Sequence, residues 1–446
     1  MGARSSTRFG QLKSVVAKNA ASSFVSMLWL NGLSLLAIPV YIKLLGTGSW
    51  GIVAACSSLQ LLFTFIDMGF SQIVPRWVAR EAQEPALLRQ YIRAFHKIYG
   101  GLALAGFVAI QACADPLANH WFNVSAPQAA ELELCIRLVA FQLLFQFANN
   151  LYVGIWHGLQ LQVQANARSC VFGTLKHGLA MGTLLWVGPN PAYYAAAFGL
   201  ASLAELVASV AATQRRGLLA AAPAGQHLDM KPFLREAGVL SFGIMIGLAV
   251  SQMDRVVLSR LVPVDSFGVY VVVANLALAF LALQAPLTRA YFPVLVQDVK
   301  TEGHVNRATL RRLILGNTLI CVLPALVMCA VADWVLRVWV HNEHFVEQGT
   351  MPLRLLLVAM CLNALYNCFY QVIVAHGKAH VVVKLNLACL IVGVLAVAAL
   401  YGHASLSLGG VIWVATTLTQ LVLGATWYWH TSKTTSTSEP AAADTR

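Results

Sequence analysis

The chain has 446 residues, of which 58% are hydrophobic and only 11% charged, with a net charge of +12 at neutral pH. A soluble domain carries roughly a quarter of its residues as charges, so this chain cannot cover a water-facing surface, and soluble enzymes and nucleic-acid binders are excluded first. A mean hydropathy of +0.68 points to the bilayer.

Taken from the N-terminus, a basic stretch over 1–19 precedes an apolar run that is too long for the core of a cleavable signal and lacks an A-x-A-like site. From there, apolar stretches near the roughly 20 residues that cross the hydrocarbon core recur to about position 430. Twelve spans are predicted: 20–44, 50–75, 97–115, 135–157, 170–188, 192–213, 238–262, 267–291, 313–333, 352–375, 385–402 and 407–430. The fold class is therefore all-α and integral to the membrane. The expected organisation is an N-terminal tail (1–19), a first six-helix lobe (20–213), a linker (214–237), a second lobe (238–430) and a C-terminal tail (431–446).

Lys and Arg set the orientation. Of the thirty, six lie in the tails and near them, sixteen in the even-numbered gaps, five in or near the odd-numbered gaps and three inside spans. Both termini are expected on the cytoplasmic side. The excess positive charge is this topological bias, so no nucleic-acid partner is read from it.

Early in the chain, "LLGTGSWG" (Leu44 to Gly51) holds Gly46, Gly48 and Gly51 in the G-x-G-x-x-G spacing of a dinucleotide-binding turn. Such a cradle needs a preceding strand, and here a membrane helix precedes it. An internal repeat explains the motif better. "KLLGTGSWGIV" (43–53) aligns with "RLVPVDSFGVY" (260–270) at an offset of 217, pairing Trp50 with Phe267 and Gly51 with Gly268. "YVGIWHGLQLQVQAN" (152–166) resembles "YQVIVAHGKAHVVVKLN" (370–386), pairing His157-Gly158 with His376-Gly377 at an offset of 219. Offsets this close indicate a duplicated six-helix unit. Six is even, so the copies share an orientation and are expected to be related by a pseudo-two-fold along the membrane normal. The glycines are read as turn chemistry in a short external loop.

The longest external gaps, 115–133 and 333–351, are too short to hold a soluble domain. A membrane glycosyltransferase or polymerase usually builds its site in a large polar loop, and an ATP-driven transporter needs a nucleotide-binding domain. The chemistry is therefore sought between the helices, among ionisable groups that cost roughly 2.5–3.5 kcal/mol each at a helix centre.

In chain order these begin with Asp67 in "FTFIDMGF" and Arg76 at the inner end of the same span, where it serves either a site or a positive-inside anchor. Lys176 follows, with snorkelling to the interface as its alternative role. Glu205 is next; it and Asp67 are candidates to bind a coupling cation or to neutralise a basic neighbour. Asp254 and Arg255 stand side by side in the seventh span, Asp254 either coupling or pairing with another helix. Arg289 lies between Pro286 and Pro293, at a helix expected to break near its inner end. Asn31, Asn149, Asn363 and Asn367 suggest polar lining, although Asn more often joins helices. The cations outnumber the acids, which suits an anionic substrate, since Arg offers a planar fork to phosphate oxygens. No metal site is assigned: His376/His380 and His341/His344 lack further ligands. No cofactor is expected. The nine Cys, all in or at the edges of spans and without C-x-x-C, are read as packing residues.

The opening "NAASSFVSMLWLNGLSLLAIPVYIKLLGTGSWGIVAACSSLQLLFTFIDMGFSQIVPRWVAR", the Asp-Arg of "SQMDRVVLSRLVPVDSFGVY" and "HGLQLQVQANA" resemble the Wzx-type polysaccharide flippases of the multidrug/oligosaccharidyl-lipid/polysaccharide exporter superfamily. The resemblance implies two lobes around a central cavity that opens alternately to the two sides of a bacterial inner membrane. It implies a secondary transporter rather than an enzyme, moving an undecaprenyl-pyrophosphate-type lipid-linked oligosaccharide outward. Arg255, Lys176, Arg289 and Arg76 would then hold the pyrophosphate, with membrane lipids and the pathway's polymerase or glycosyltransferases as partners. An inside-negative potential would favour outward movement by about 2.3 kcal/mol per charge per 100 mV. The competing readings are a cation-coupled multidrug exporter of the same superfamily and a membrane glycosyltransferase or polymerase.

Overall fold

The computed structural model describes residues 2–60, 65, 67, 70–220, 230–403 and 405–436. Among the described residues the α-helices are α1 Gly2–Ser58, α2 Phe70–Glu81, α3 Pro85–Pro116, α4 Ala126–Gly158, α5 Gln162–Trp186, α6 Pro191–Arg215, α7 Lys231–Leu261, α8 Val264–Glu302, α9 Arg307–Asn317, α10 Leu323–Ala330, α11 Ala332–Val340, α12 Glu343–Ala375, α13 Ala379–Leu400 and α14 Ser407–Ser436. No strand occurs among the described residues. Lipid offers no partner to a peptide group, so a chain this apolar must close its backbone hydrogen bonds within helices.

Among the described residues, nine helical segments are long and apolar enough to cross a membrane. The first, Lys18–Ser58, takes in the first expected span and the start of the second. Of the other expected spans, the second is interrupted by residues outside the described set, and the fifth and seventh fall on α5 and α7, which are not among the nine. The protein is a multi-pass membrane protein, helical throughout its described spans.

The helices outrun the hydrocarbon core. α4 has 33 residues and α8 has 39, about 50 and 58 Å at 1.5 Å per residue. The expected external loops are correspondingly mostly helix. Over 115–133, α3 runs to Pro116, a π-turn covers Leu117–Trp121 and α4 begins at Ala126 under a Ser125/Gln128 capping box. Over 333–351, the short helix α11 is followed at Glu343 by α12. The break expected around Arg289 is absent: α8 passes through both Pro286 and Pro293 without interruption. Between the two prolines the Thr288 hydroxyl donates to the carbonyls of Gln284 and Ala285.

The chain divides into two compact units, Met1–Met245 with Pro263–Gly268, and Ile246–Val262 with Val269–Arg446. In unit 1, Gly46 sits at φ 79° and ψ 169° between two helical stretches, a conformation that glycine reaches without a Cβ penalty. Gly51 has a different task. A Cβ there would collide with the Val264 carbonyl, and one on its repeat mate Gly268 would fall 2.9 Å from the Gly51 Cα. The motif combines one turn glycine with a pair that lets backbone meet backbone. Around it, the Val264 N–H donates to the Asn123 carbonyl at 3.0 Å and Gln128 Nε2 donates to Asp265 Oδ1 at 3.0 Å.

Unit 1 also has a polar seam between α1 and α5. Asn166 Nδ2 donates to the hydroxyls of Ser22 and Ser23 at 3.0 Å, and Trp29 Nε1 donates to Thr174 Oγ1 at 3.0 Å. The Tyr41 hydroxyl lies 2.8 Å from His177 Nδ1. Unit 2 is built on α12, which packs against α14 with Gly410 and Gly424 at the contacts.

Candidate functional site

Two groups of deep ionisable residues emerge, one in each unit. In unit 1, α5 and α6 bring Lys176 and Glu205 together, with Nζ 2.7 Å from Oε2. Their side chains are only 15% and 11% exposed, so each charge needs the other: a lone buried charge is far costlier than a buried pair. Two candidates that the sequence treats separately are thus one neutral unit. Asp67 lies apart from them. It is buried and accepts from the Ser71 hydroxyl at 2.6 Å and the Ser71 N–H at 3.3 Å, one helical turn on. Arg76 is exposed near the middle of α2. Asn149 is buried, with its Oδ1 free of hydrogen bonds among the described residues. Asn31 is exposed.

In unit 2, Asp254 and Arg255 point to different partners, as neighbours about 100° apart on a helix must. Asp254 is 2% exposed and accepts a short hydrogen bond from the Tyr270 hydroxyl. Arg255 is half-buried, and its Nη2 donates to the amide oxygen of Asn275 at 2.8 Å. That partner is neutral, and among the described residues no carboxylate lies within ion-pair distance of Arg255 other than what its neighbour Asp254 contributes through space. Arg289 is exposed on α8. Asn367 Nδ2 donates to Gln284 Oε1 at 2.8 Å, and Gln371 Nε2 donates to Asn367 Oδ1 at 3.2 Å, forming a neutral amide chain between α8 and α12. Asn363 lies half-buried one turn before Asn367.

Asn275, Gln284 and Tyr270 carry the partnering and were not singled out from sequence. Their signal was available only in pairs: a Tyr sixteen residues after Asp254 and an Asn twenty after Arg255 face them across one helical hairpin. Among the described residues no three His, Cys, Asp or Glu side chains are grouped to hold a metal ion.

A family described as "Polysaccharide biosynthesis protein" matches residues 16–298, more than half of the chain. The chain belongs to this family. No curated protein matches this family member in sequence. Its fold is shared with solved transporters. The lipid II flippase MurJ in an inward closed conformation aligns with a TM-score of 0.68 at 10% identity, over 93% of this chain and 87% of that one. The Vibrio cholerae MATE transporter VcmN, as a single-residue variant, gives 0.63 at 14% identity over 96% and 99%. A MOP superfamily transporter from Pyrococcus furiosus, described as having a binding pocket of reversed polarity, gives 0.53 at 13% identity over 95% and 97%. At these identities the likeness is one of fold, and the polysaccharide biosynthesis family member therefore has the MOP-superfamily helix arrangement.

Proposed function

We propose that the protein is an alternating-access flippase. It carries an isoprenoid-pyrophosphate-linked oligosaccharide from the cytoplasmic to the periplasmic leaflet of a bacterial inner membrane, with both termini cytoplasmic. It works as a secondary transporter without enzymatic chemistry, alongside the polymerase or glycosyltransferases of its pathway. Membership of a polysaccharide biosynthesis family and a fold shared with a lipid II flippase support this reading. The observation that carries it is Arg255: a half-buried guanidinium less than two turns from the end of α7, held by a neutral amide and left with donors for an anion. Such a group within a membrane span is expensive, and a diphosphate would repay it with bidentate, charge-assisted bonds. Arg289 and Arg76, both exposed, are the next candidates to hold the pyrophosphate; Lys176 joins them only when Glu205 releases it.

A cation-coupled drug exporter would need a deep carboxylate without a counter-charge. Glu205 is paired to Lys176 and Asp254 is bonded to Tyr270 beside Arg255, which leaves Asp67, held by Ser71, as the coupling candidate. The test is complementation of a strain lacking its own flippase, read as surface glycan. The protein should restore it. Arg255→Gln, at equal protein level, should lower it at least about tenfold, the loss of one charge-assisted bond, and Arg255→Lys should recover part. Full restoration by Arg255→Gln would remove the anionic-site reading.

A further inference from the structure

We infer that the basic end of α4, α5 and α6 in unit 1 binds the phosphate of an anionic lipid headgroup, at a site separate from Arg255. The anchor is Trp156, 2% exposed, whose Nε1–H donates to Thr213 Oγ1 at 3.0 Å and so fixes the indole. Two guanidiniums share that ring: Arg168 at 3.9 Å and Arg216 at 4.9 Å from its centroid. Stacking occupies the face of a guanidinium and leaves its N–H edge for oxygen acceptors. Among the described residues neither cation meets a carboxylate. Arg216 donates to Gln164 Oε1, and among the described residues Arg168 donates no hydrogen bond. Two like charges held on one ring without a counter-ion are a binding site for an anion.

The site adjoins a shallow cleft of about 10 Å³, room for about one water, lined by Trp156, Arg168, Ser169, Ser209, Glu205 and Asn149 among others. Glu205, the acid able to neutralise the arginines, is already taken by Lys176. Asn149, 5% exposed, has an amide oxygen without a partner; turned over, the same amide presents an N–H donor.

The surroundings specify a lipid rather than a soluble phosphate. Arg168, Val171 and Leu175 stand at i, i+3 and i+7 on one face of α5, and Val171 and Leu175 are 63% and 38% exposed. A cation above a strip of exposed aliphatic side chains matches a headgroup above its acyl chain. The shared chemistry is a lipid phosphate, whether the phosphodiester of a bulk phospholipid or the diphosphate of a polyprenyl carrier. The inference holds whether or not the protein translocates the lipid.

The experiment is lipid binding by native mass spectrometry on the purified full chain in neutral detergent. The probes are phosphatidylglycerol, farnesyl diphosphate, zwitterionic phosphatidylcholine and inorganic phosphate. Arg168→Gln and Arg216→Gln should each weaken binding of an anionic lipid about tenfold, leaving phosphatidylcholine unchanged. Arg311→Gln, an exposed cation on α9, should have no effect. Because Arg216 is exposed at the end of its helix, its variant keeps the test valid should Arg168→Gln fold poorly. Loss for phosphatidylglycerol alone identifies a bulk phospholipid, loss for the diphosphate alone a carrier, and loss for both a general lipid-phosphate site. Wild-type affinity for both anionic lipids when Arg168→Gln and Arg216→Gln are combined, or inorganic phosphate bound as tightly as either lipid, would overturn the inference.

Discussion

In unit 1 the deep cation, Lys176, lies 2.7 Å from Glu205, and both side chains are shielded from solvent. In unit 2 the deep cation, Arg255, has an amide for its partner while the neighbouring acid turns to Tyr270. Unit 1 has neutralised its buried cation and unit 2 has kept its own available. A neutralised pair is chiefly a folding element, since removing either member strands the other in a low-dielectric interior. An available cation contributes little to folding and most to what the protein binds. Substitutions in the two units should therefore separate stability from function.

The largest stability effect is expected in unit 1. Glu205→Gln leaves Lys176 without its counter-charge and should cost about 3–5 kcal/mol, the range for breaking a buried pair. The double change Lys176→Met with Glu205→Leu removes both charges and should recover most of that loss. Thermal unfolding in detergent reads both. Arg255→Gln measured alongside should shift stability by about 1 kcal/mol or less, the net worth of one hydrogen bond. Equal destabilisation by Glu205→Gln and Arg255→Gln would erase the distinction between the units.

The repeat also divides the work of its glycines. Gly158 and Gly377 align in sequence but sit in different surroundings. A Cβ on Gly158 would lie 2.7 Å from the Pro75 carbonyl and from Val78, whereas Gly377 has φ +69° and open space around it. Gly158→Ala should cost about 2–3 kcal/mol through overpacking. Gly377→Ala should cost about 1–2 kcal/mol through left-handed strain alone, and Gly377→Asn less, because Asn tolerates that region. Comparable melting points for the two alanine variants, or a rescue of Gly158 by Asn, would show that the alignment predicts environment after all.

These contrasts mark how far the sequence could be read. Hydropathy was enough for an all-helical, multi-pass membrane protein, because lipid enforces helices and a span has a fixed length. The glycine motif was legible as something other than a nucleotide turn, but only Gly46 is the turn residue. That Gly51 meets Gly268 depends on packing between segments some 217 positions apart, which no local pattern encodes. The deep charges were legible as a set, because ionisable residues stand out in apolar spans. Their pairing was not. Lys176 and Glu205 are 29 positions apart on successive helices, and the rotation of α5 against α6 decides whether they meet. The prolines around Arg289 misled for a related reason: a missing N–H removes one rung of the ladder, and α8 continues through both positions all the same. Arg168 and Arg216 counted only towards topology until the fold set both against one indole.

The smallest expected effect sharpens the comparison inside unit 2. The Gln284–Asn367–Gln371 amide chain joins α8 to α12 without any charge. Polar contacts between membrane helices average only about 0.6 kcal/mol, because the unfolded helices find partners too. Asn367→Ala should therefore lower stability by about that amount. If the chain only joins helices, surface-glycan complementation should stay at the wild-type level. A drop in complementation with stability within about 1 kcal/mol of wild type would mean that the amides line the route of the sugar chain. Arg255 would then be one end of a longer polar surface in unit 2, with hydroxyl-rich sugar recognised by amides and phosphate by the guanidinium.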